Sequence, residues 1–165
     1  MSDTSAPARL RFDAIAPGDR FDLGSHVMKR DEVVEFASRY DPQPFHLDDD
    51  AAAAHPFFER LSASGWHTAL VMHLLWHRYA EARGLESLAG AGVDQIRWLR
   101  PVYPGDTLSG EAEVLSVRTS RSNPGRGIGT LRTTLHNQHG EEVASMITTA
   151  LFPRGANDEP EPGNA

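Results

Sequence analysis

The sequence predicts an α+β fold in which one long buried helix precedes an antiparallel sheet. Residues 65–83 carry the longest apolar helical pattern, and Gly84 follows as a stop signal. Four strand-like runs come after it, at residues 93–100, 107–118, 127–137 and 142–152. Period-two spacing of apolar side chains supports two of these runs. A helix followed by such a meander suggests a curved sheet wrapped around the helix.

The elements before the long helix are predicted to be shorter. Arg20 to Met28 alternates loosely between apolar and polar side chains, as a strand does. Asp31 is the expected N-cap of a short helix that ends at the prolines after Tyr40. A second short helix is expected over residues 49–59, around the alanine run.

The long helix has no continuous polar face, and we therefore expect it to be enclosed by the rest of the fold. Its apolar residues are Trp66, Ala69, Leu70, Val71, Met72, Leu74, Leu75, Trp76, Tyr79 and Ala80. A free sheet edge and an incompletely covered helix would favour dimerisation.

Composition limits the classes of function. A chain of 165 residues is expected to form one domain, here residues 9–152, with disordered tails at 1–8 and 153–165. The absence of cysteine excludes disulfides, thiolate catalysis and cysteine-based zinc sites. A net charge of −7 argues against a nucleic-acid partner. No apolar run is long enough to span a membrane and no signal pattern opens the chain, so the cytoplasm is the expected location.

The most informative segment runs from Asp41 to His46 and reads Asp-Pro-Gln-Pro-Phe-His. Pro42 and Pro44 fix φ and push the residues before them towards extended conformations, which predicts a non-helical segment. In such a segment Asp41 and His46 can point into one cleft, where a carboxylate and an imidazole can hold and activate a water. The alternative is that Asp41 caps a turn while His46 packs on the surface.

Two later motifs bear on that choice. Ala63-Ser64-Gly65-Trp66-His67-Thr68 opens the long helix, and Pro101-Val102-Tyr103-Pro104-Gly105-Asp106 precedes a strand. Together with the first motif they resemble the MaoC-like family, which includes the (R)-specific enoyl-CoA hydratases. The resemblance covers about residues 30–152. It implies a hotdog fold, in which an antiparallel sheet wraps around one long central helix, and a homodimer or a dimer of dimers.

The resemblance also implies roles for individual residues. Asp41 and His46 would be the catalytic pair, and the Gly65 N–H would stabilise the charge that develops on a thioester oxygen. An alternative for Gly65 is that it only lets the helix pack closely. Substrate contacts are expected from Gln43, Ser64, Trp66 and His67. Gln43 stands where the family commonly has asparagine, and Trp66 is expected to narrow the acyl pocket.

Other polar residues have simpler interpretations. His73 and His77 have the spacing of a zinc pair, but position 74 is leucine instead of the glutamate of the His-Glu-x-x-His motif, so no metal site is predicted. His55 flanks the candidate site. Asp48 is expected to cap the helix that follows it.

The sequence therefore predicts a lyase that adds water reversibly to a 2-enoyl thioester. The expected substrate is an acyl-CoA or acyl-carrier-protein thioester, with no cofactor other than the coenzyme A of the substrate itself. A hotdog thioesterase is one alternative, although such enzymes use an acid on the central helix and this helix has none before Glu81. A non-catalytic module that binds acyl thioesters is the other alternative.

Overall fold

A computed structural model describes residues 9–155, which form four α-helices and one five-stranded antiparallel sheet. In chain order the elements are a 3-10 turn (Phe12–Ala14), β1 (Arg20–Val27), α1 (Arg30–Tyr40), α2 (Pro44–Leu47), α3 (Asp49–Ala53), α4 (Gly65–Ala82), β2 (Ala89–Trp98), β3 (Thr107–Thr119), β4 (Arg126–His136) and β5 (Glu142–Pro153). The strand order β1-β3-β4-β5-β2 places β1 and β2 at the two edges.

The predicted fold class is confirmed, because the sheet curves around α4 in the hotdog arrangement. α4 packs against β1, β3, β4 and β5, and α1 lies beside it. Val71, Met72 and Leu75 on the inner face of α4 are almost fully buried, as are Leu108 of β3 and Leu135 of β4. These side chains form one contiguous core.

The enclosure of α4 is one-sided, which differs from the prediction. Trp66 and Leu70 keep 56% and 55% of their surface exposed on the face of α4 that the sheet does not reach. A single curved sheet covers one side of a helix, so the apolar residues on the other side remain uncovered in one protomer.

Three predictions for the short elements are wrong in detail. Lys29, and not Asp31, is the N-cap of α1, and the Asp31 side chain accepts instead from the N–H of Glu32. The helix after Asp48 ends at Ala53, because Pro56 disfavours a helical conformation for the residue before it.

The third correction concerns the segment that carries His46. Residues 41–46 were predicted to be non-helical, but Pro44 begins the one-turn helix α2. Proline is well accepted at the first position of a helix because its missing N–H would have had no partner there. His46 therefore projects from a helical turn, and its position is fixed by that turn.

The described ends of the chain agree only in part with the predicted tails. β5 continues through Pro153, and the Arg154 N–H donates to the Gly125 carbonyl, so residues 153–155 belong to the fold. The remainder of the predicted tails, residues 1–8 and 156–165, lies outside the described residues. Among residues 9–155, no helix has both the length and the apolar character needed to cross a bilayer.

The Gly-Asp turn before β3 has a structural role. Gly105 has φ +94°, a conformation that favours glycine, and the Asp106 carboxylate accepts from the Tyr103 N–H and from the Gln138 side chain. The turn fixes the preceding segment, where the Val102 carbonyl accepts from the Ala63 N–H at 2.7 Å. It thereby holds the residues that lead into α4.

Candidate active site

The carboxylate of Asp41 lies at the end of α1, where Asp41 is the C-cap and its N–H donates to the Ala37 carbonyl. Its Oδ2 atom accepts a hydrogen bond of 2.7 Å from the Ser64 hydroxyl. The Ser64 hydroxyl also accepts from the Trp66 N–H, because Ser64 is the N-cap of α4. One hydroxyl thus ties the end of α1 to the start of α4.

His46 approaches the same carboxylate from α2, with its Nε2 atom 3.4 Å from Asp41 Oδ2. Its other ring nitrogen, Nδ1, lies 2.7 Å from the Ser62 carbonyl oxygen. The imidazole is buried, whereas the Asp41 side chain keeps 22% exposure and opens the site to solvent. The structure therefore brings Asp41, His46 and Ser64 together.

The partners of His46 determine which ring nitrogen carries the proton. A carbonyl oxygen can only accept, so Nδ1 must donate to Ser62 and the neutral ring has its lone pair on Nε2. Nε2 and Asp41 Oδ2 then lie 3.4 Å apart as two acceptors. A water that donates a hydrogen bond to both atoms would lie within reach of a general base.

Aromatic rings surround the buried imidazole. Phe45 contacts it edge-on with ring centroids 4.5 Å apart, and Phe58 lies 6.1 Å away. His55 contacts the same two phenylalanines, and its Nδ1 accepts from the Phe57 N–H. His55 thus supports the aromatic cluster and its loop.

Gly65, the first residue of α4, lies next to Ser64. Its N–H has no hydrogen-bond partner among residues 9–155, as is typical of the first turn of a helix. The partial positive charge at the N-terminus of an 18-residue helix adds to that of the free N–H. The arrangement can therefore bind a developing negative charge within one turn of the carboxylate and imidazole.

The other residues predicted to contact substrate are more dispersed. Gln43 is the N-cap of α2 and is exposed, and within the described range its side chain makes no hydrogen bond to Asp41 or His46. Trp66 points to the other side of α4, where it lines an open apolar groove of about 320 Å³. That groove is lined by Trp66, Ala69, Leu70, His73, Val93, Ile96, Met146 and Thr148.

His67 lies on the same side of α4 as Ser64, one turn further along the helix. Its ring stacks on Phe36 of α1 with centroids 4.8 Å apart, and its Nδ1 is buried without a partner within residues 9–155. The pKa of His67 is lowered, mainly by burial. The nearby Glu32 carboxylate opposes this shift, and His26 adds to it. His67 is therefore a neutral imidazole at neutral pH.

Two contributors were not identified from the sequence. Ser62 acts through its main-chain carbonyl, which any residue type carries, so no sequence signal could have identified it. Trp98, the last residue of β2, donates from its indole Nε1 to the Gly65 carbonyl at 2.7 Å. Asp48 was correctly predicted, because it caps α3 by accepting from the Ala51 N–H.

Comparisons with known proteins agree with the family resemblance. A family model described as MaoC like domain matches residues 13–137. The uncharacterized protein YdeM of Bacillus subtilis is 30% identical over 145 residues, which is 88% of this chain and 100% of that protein. The mesaconyl-CoA hydratase of Cereibacter sphaeroides is 32% identical over 93 residues, 56% of this chain but 27% of that protein.

A solved structure gives the same result in three dimensions. The MaoC-like dehydratase from Rhodospirillum rubrum superimposes with a TM-score of 0.76 and is 38% identical, covering 89% of this chain and 99% of that one. Since the family model spans most of the chain and the shared fold extends over nearly all of it, the chain belongs to the MaoC-like family.

Proposed function

We propose that this protein is a hydratase of the cytoplasm that adds water reversibly to a 2-enoyl thioester and forms the 3-hydroxyacyl thioester. The observation that carries the proposal is the 3.4 Å approach of His46 Nε2 to Asp41 Oδ2, with Nδ1 of the same ring hydrogen-bonded to the Ser62 carbonyl on the opposite side. The related mesaconyl-CoA hydratase is named for a reaction of this class.

In the proposed reaction, water bound between the two acceptors attacks the β-carbon of the enoyl group. One of the two groups takes a proton from the water as the new carbon–oxygen bond forms. With the ring proton on Nδ1, neither group that faces the other has a proton to give, so in this proposal the proton that reaches the α-carbon is the one taken from the water. The reaction then needs no proton from solvent, and the assignment of acid and base within the pair stays open.

Negative charge develops on the thioester oxygen before the α-carbon receives its proton. We place that oxygen at the Gly65 N–H, which is free to donate and lies at the positive end of α4. Ser64, the residue before Gly65, fixes the position of the Asp41 carboxylate, because its hydroxyl donates a hydrogen bond to Oδ2. The reaction uses the protein's own groups and water, with coenzyme A or an acyl carrier protein as the carrier of the substrate.

The proposal extends to the assembly, which we infer to be a homodimer. β2 is an edge strand of ten residues, nine of them exposed, and the apolar groove lies beside it. Val93 of β2 and Leu70 of α4 each leave about half of their surface uncovered there. A second copy that pairs along β2 would satisfy the unpaired strand edge and bury these side chains together.

The test is the loss of enoyl-thioester ultraviolet absorbance when purified protein is added to crotonyl-CoA. We expect turnover by the parent and a loss of about 10²–10⁴-fold in Asp41→Asn, because the amide cannot accept a proton. Asp48→Asn is the matched control, since asparagine caps a helix as well as aspartate does. Equal rates in parent and Asp41→Asn would contradict the proposed role, and inactivity across short, branched and long enoyl-CoAs would contradict the hydratase.

A further inference from the structure

The indole of Trp98 is in close contact with the first residue of α4. Its Nε1–H donates to the Gly65 carbonyl at 2.7 Å. The ring also lies against the Gly65 Cα, so that a Cβ at this position would come within 2.7 Å of an indole carbon. Close packing therefore requires glycine at position 65, whatever the N–H of that residue does.

A glycine that donates to a reacting oxygen needs external restraint. Glycine has more backbone freedom than any other residue, and the first turn of a helix has the fewest hydrogen bonds to oppose that freedom. A donor that stabilises developing charge is effective only if its direction is fixed before the reaction. Trp98 supplies two restraints, because its ring blocks movement of the Cα and its N–H holds the carbonyl.

We propose that Trp98 is a positioning residue: by holding the carbonyl of the peptide that follows Gly65 and packing against the Gly65 Cα, it limits rotation about φ and ψ of Gly65 and so fixes the direction of the Gly65 N–H. The inference rests on the proposed function, because it gives the Gly65 N–H the thioester oxygen as its acceptor. In this role Trp98 acts through Gly65 and not on the substrate. Trp98 is 47% exposed, and its ring touches Trp66 edge-on with ring centroids 5.3 Å apart, so the residue links the candidate active site to the edge strand β2.

A purely structural role for Trp98 makes a different prediction. If the ring only covers apolar surface at the end of β2, then phenylalanine should replace it with little consequence for rate. If the N–H matters, a ring without that donor should lower kcat while leaving KM nearly unchanged, since the restraint acts on the charge of the transition state. Removal of the indole N–H therefore distinguishes the two roles.

The decisive variant carries 3-benzothienylalanine at position 98, which keeps the shape of the side chain and replaces N–H by sulfur. Trp98→Phe is the second variant. Trp76→Phe is the matched control. Trp76 lies eleven residues after Gly65 along α4, about 16 Å from it, and packs on Phe21 and Tyr79. For both changes at position 98 we expect kcat on crotonyl-CoA to fall about tenfold with KM within about twofold.

A second readout does not depend on turnover. In ¹⁵N-labelled protein we expect the Gly65 amide hydrogen to exchange with solvent faster in both variants than in the parent. We also expect a smaller change in the Gly65 amide chemical shift in the variants when the saturated thioester butyryl-CoA is added. Kinetics and amide signals that match those of Trp76→Phe would overturn the positioning role. The parent could be inactive on crotonyl-CoA and still show a change in the Gly65 amide chemical shift on addition of butyryl-CoA. If that change is lost in the variants without the indole N–H, the hydratase is rejected and the positioning role of Trp98 is retained.

Discussion

The two sides of α4 differ although their residues alternate along one turn of helix. On the side that faces α1, Ser64 is hydrogen-bonded to the Asp41 carboxylate and His67 is buried under Phe36. On the other side, Trp66 and Leu70 are more than half exposed along an open apolar groove. The first side is packed against α1 of the same chain, whereas the second has the character of a surface that another molecule covers.

The comparison shows that one apolar helix can serve two purposes. Ser64, the N-cap, and His67 lie on the side where chemistry is proposed, and Trp66 and Leu70 lie on the side of the groove. Variants on each side should accordingly affect different measurements. Changes near Ser64 should alter rate and acid sensitivity, and changes in the groove should alter assembly.

The largest effect is expected from His46→Gln, which removes the lone pair that faces the water site. We expect the rate on crotonyl-CoA to fall about 10²–10⁴-fold, because one of the two proton acceptors is lost. His55→Gln is the control, since His55 contacts the same rings, Phe45 and Phe58, but is bonded to the Phe57 N–H. A large loss in the control together with an active His46→Gln would transfer the role of base to His55.

Much of this architecture could be predicted from the sequence, because the spacing of apolar residues along the chain indicates which face of a helix or strand is buried. The long helix and β3 to β5 were placed within one or two residues of their observed ends, and the Gly84 stop signal was correct, since Gly84 has φ +61°. The errors fell on β2, which begins at Ala89 instead of residue 93, and on α2 and α3. These two helices are about one turn long and have no apolar periodicity. There the position of a single proline decides the structure.

The candidate site was predictable only where side chains carry the chemistry. Asp41, His46 and Ser64 were identified from their motifs and lie together in the fold. The Ser62 carbonyl was not, because a main-chain acceptor leaves no trace in the sequence. Trp98 was missed for another reason: its contact with Gly65 joins residues 33 positions apart, and only the tertiary structure reveals it.

A smaller effect, on assembly, is expected from Leu70→Glu in the groove. Burial of one leucine contributes about 1.5–3 kcal/mol, and a two-fold interface contains the residue twice. A carboxylate on each copy should therefore weaken dimerisation at least about a hundredfold, as measured by sedimentation velocity over a range of concentrations. Phe57→Glu, at an apolar residue 77% exposed outside the groove, should leave the dissociation constant unchanged.

If Leu70→Glu stays as dimeric as the parent, the groove is not the interface and the proposed arrangement along β2 fails. If Phe57→Glu dissociates the dimer instead, the interface lies on the loop that carries the aromatic cluster. Activity measured on the same samples would show whether the side of α4 facing α1 functions without the partner.

The smallest effect is expected from His67→Leu, and it concerns stability at acid pH. Burial lowers the pKa of His67 in the folded protein, so below the ordinary histidine pKa of about 6.5 the unfolded chain takes up a proton more readily than the folded one. Unfolding then becomes easier as the pH falls, by at most about 1.4 kcal/mol per pH unit for one group.

Glu32 and His26, the charged and titratable groups that act on His67, remain in His67→Leu, as does Lys29, which pairs with Glu32, so the variant isolates the imidazole. Chemical denaturation at pH 7 and pH 5 should show a smaller loss of stability on acidification in His67→Leu than in the parent. His77→Leu, at an exposed histidine of the same helix, should behave like the parent. Equal acid sensitivity in all three proteins would mean that α1 moves aside and lets water reach the charged ring, and the packing of His67 under Phe36 would then be looser than its 4.8 Å stacking indicates.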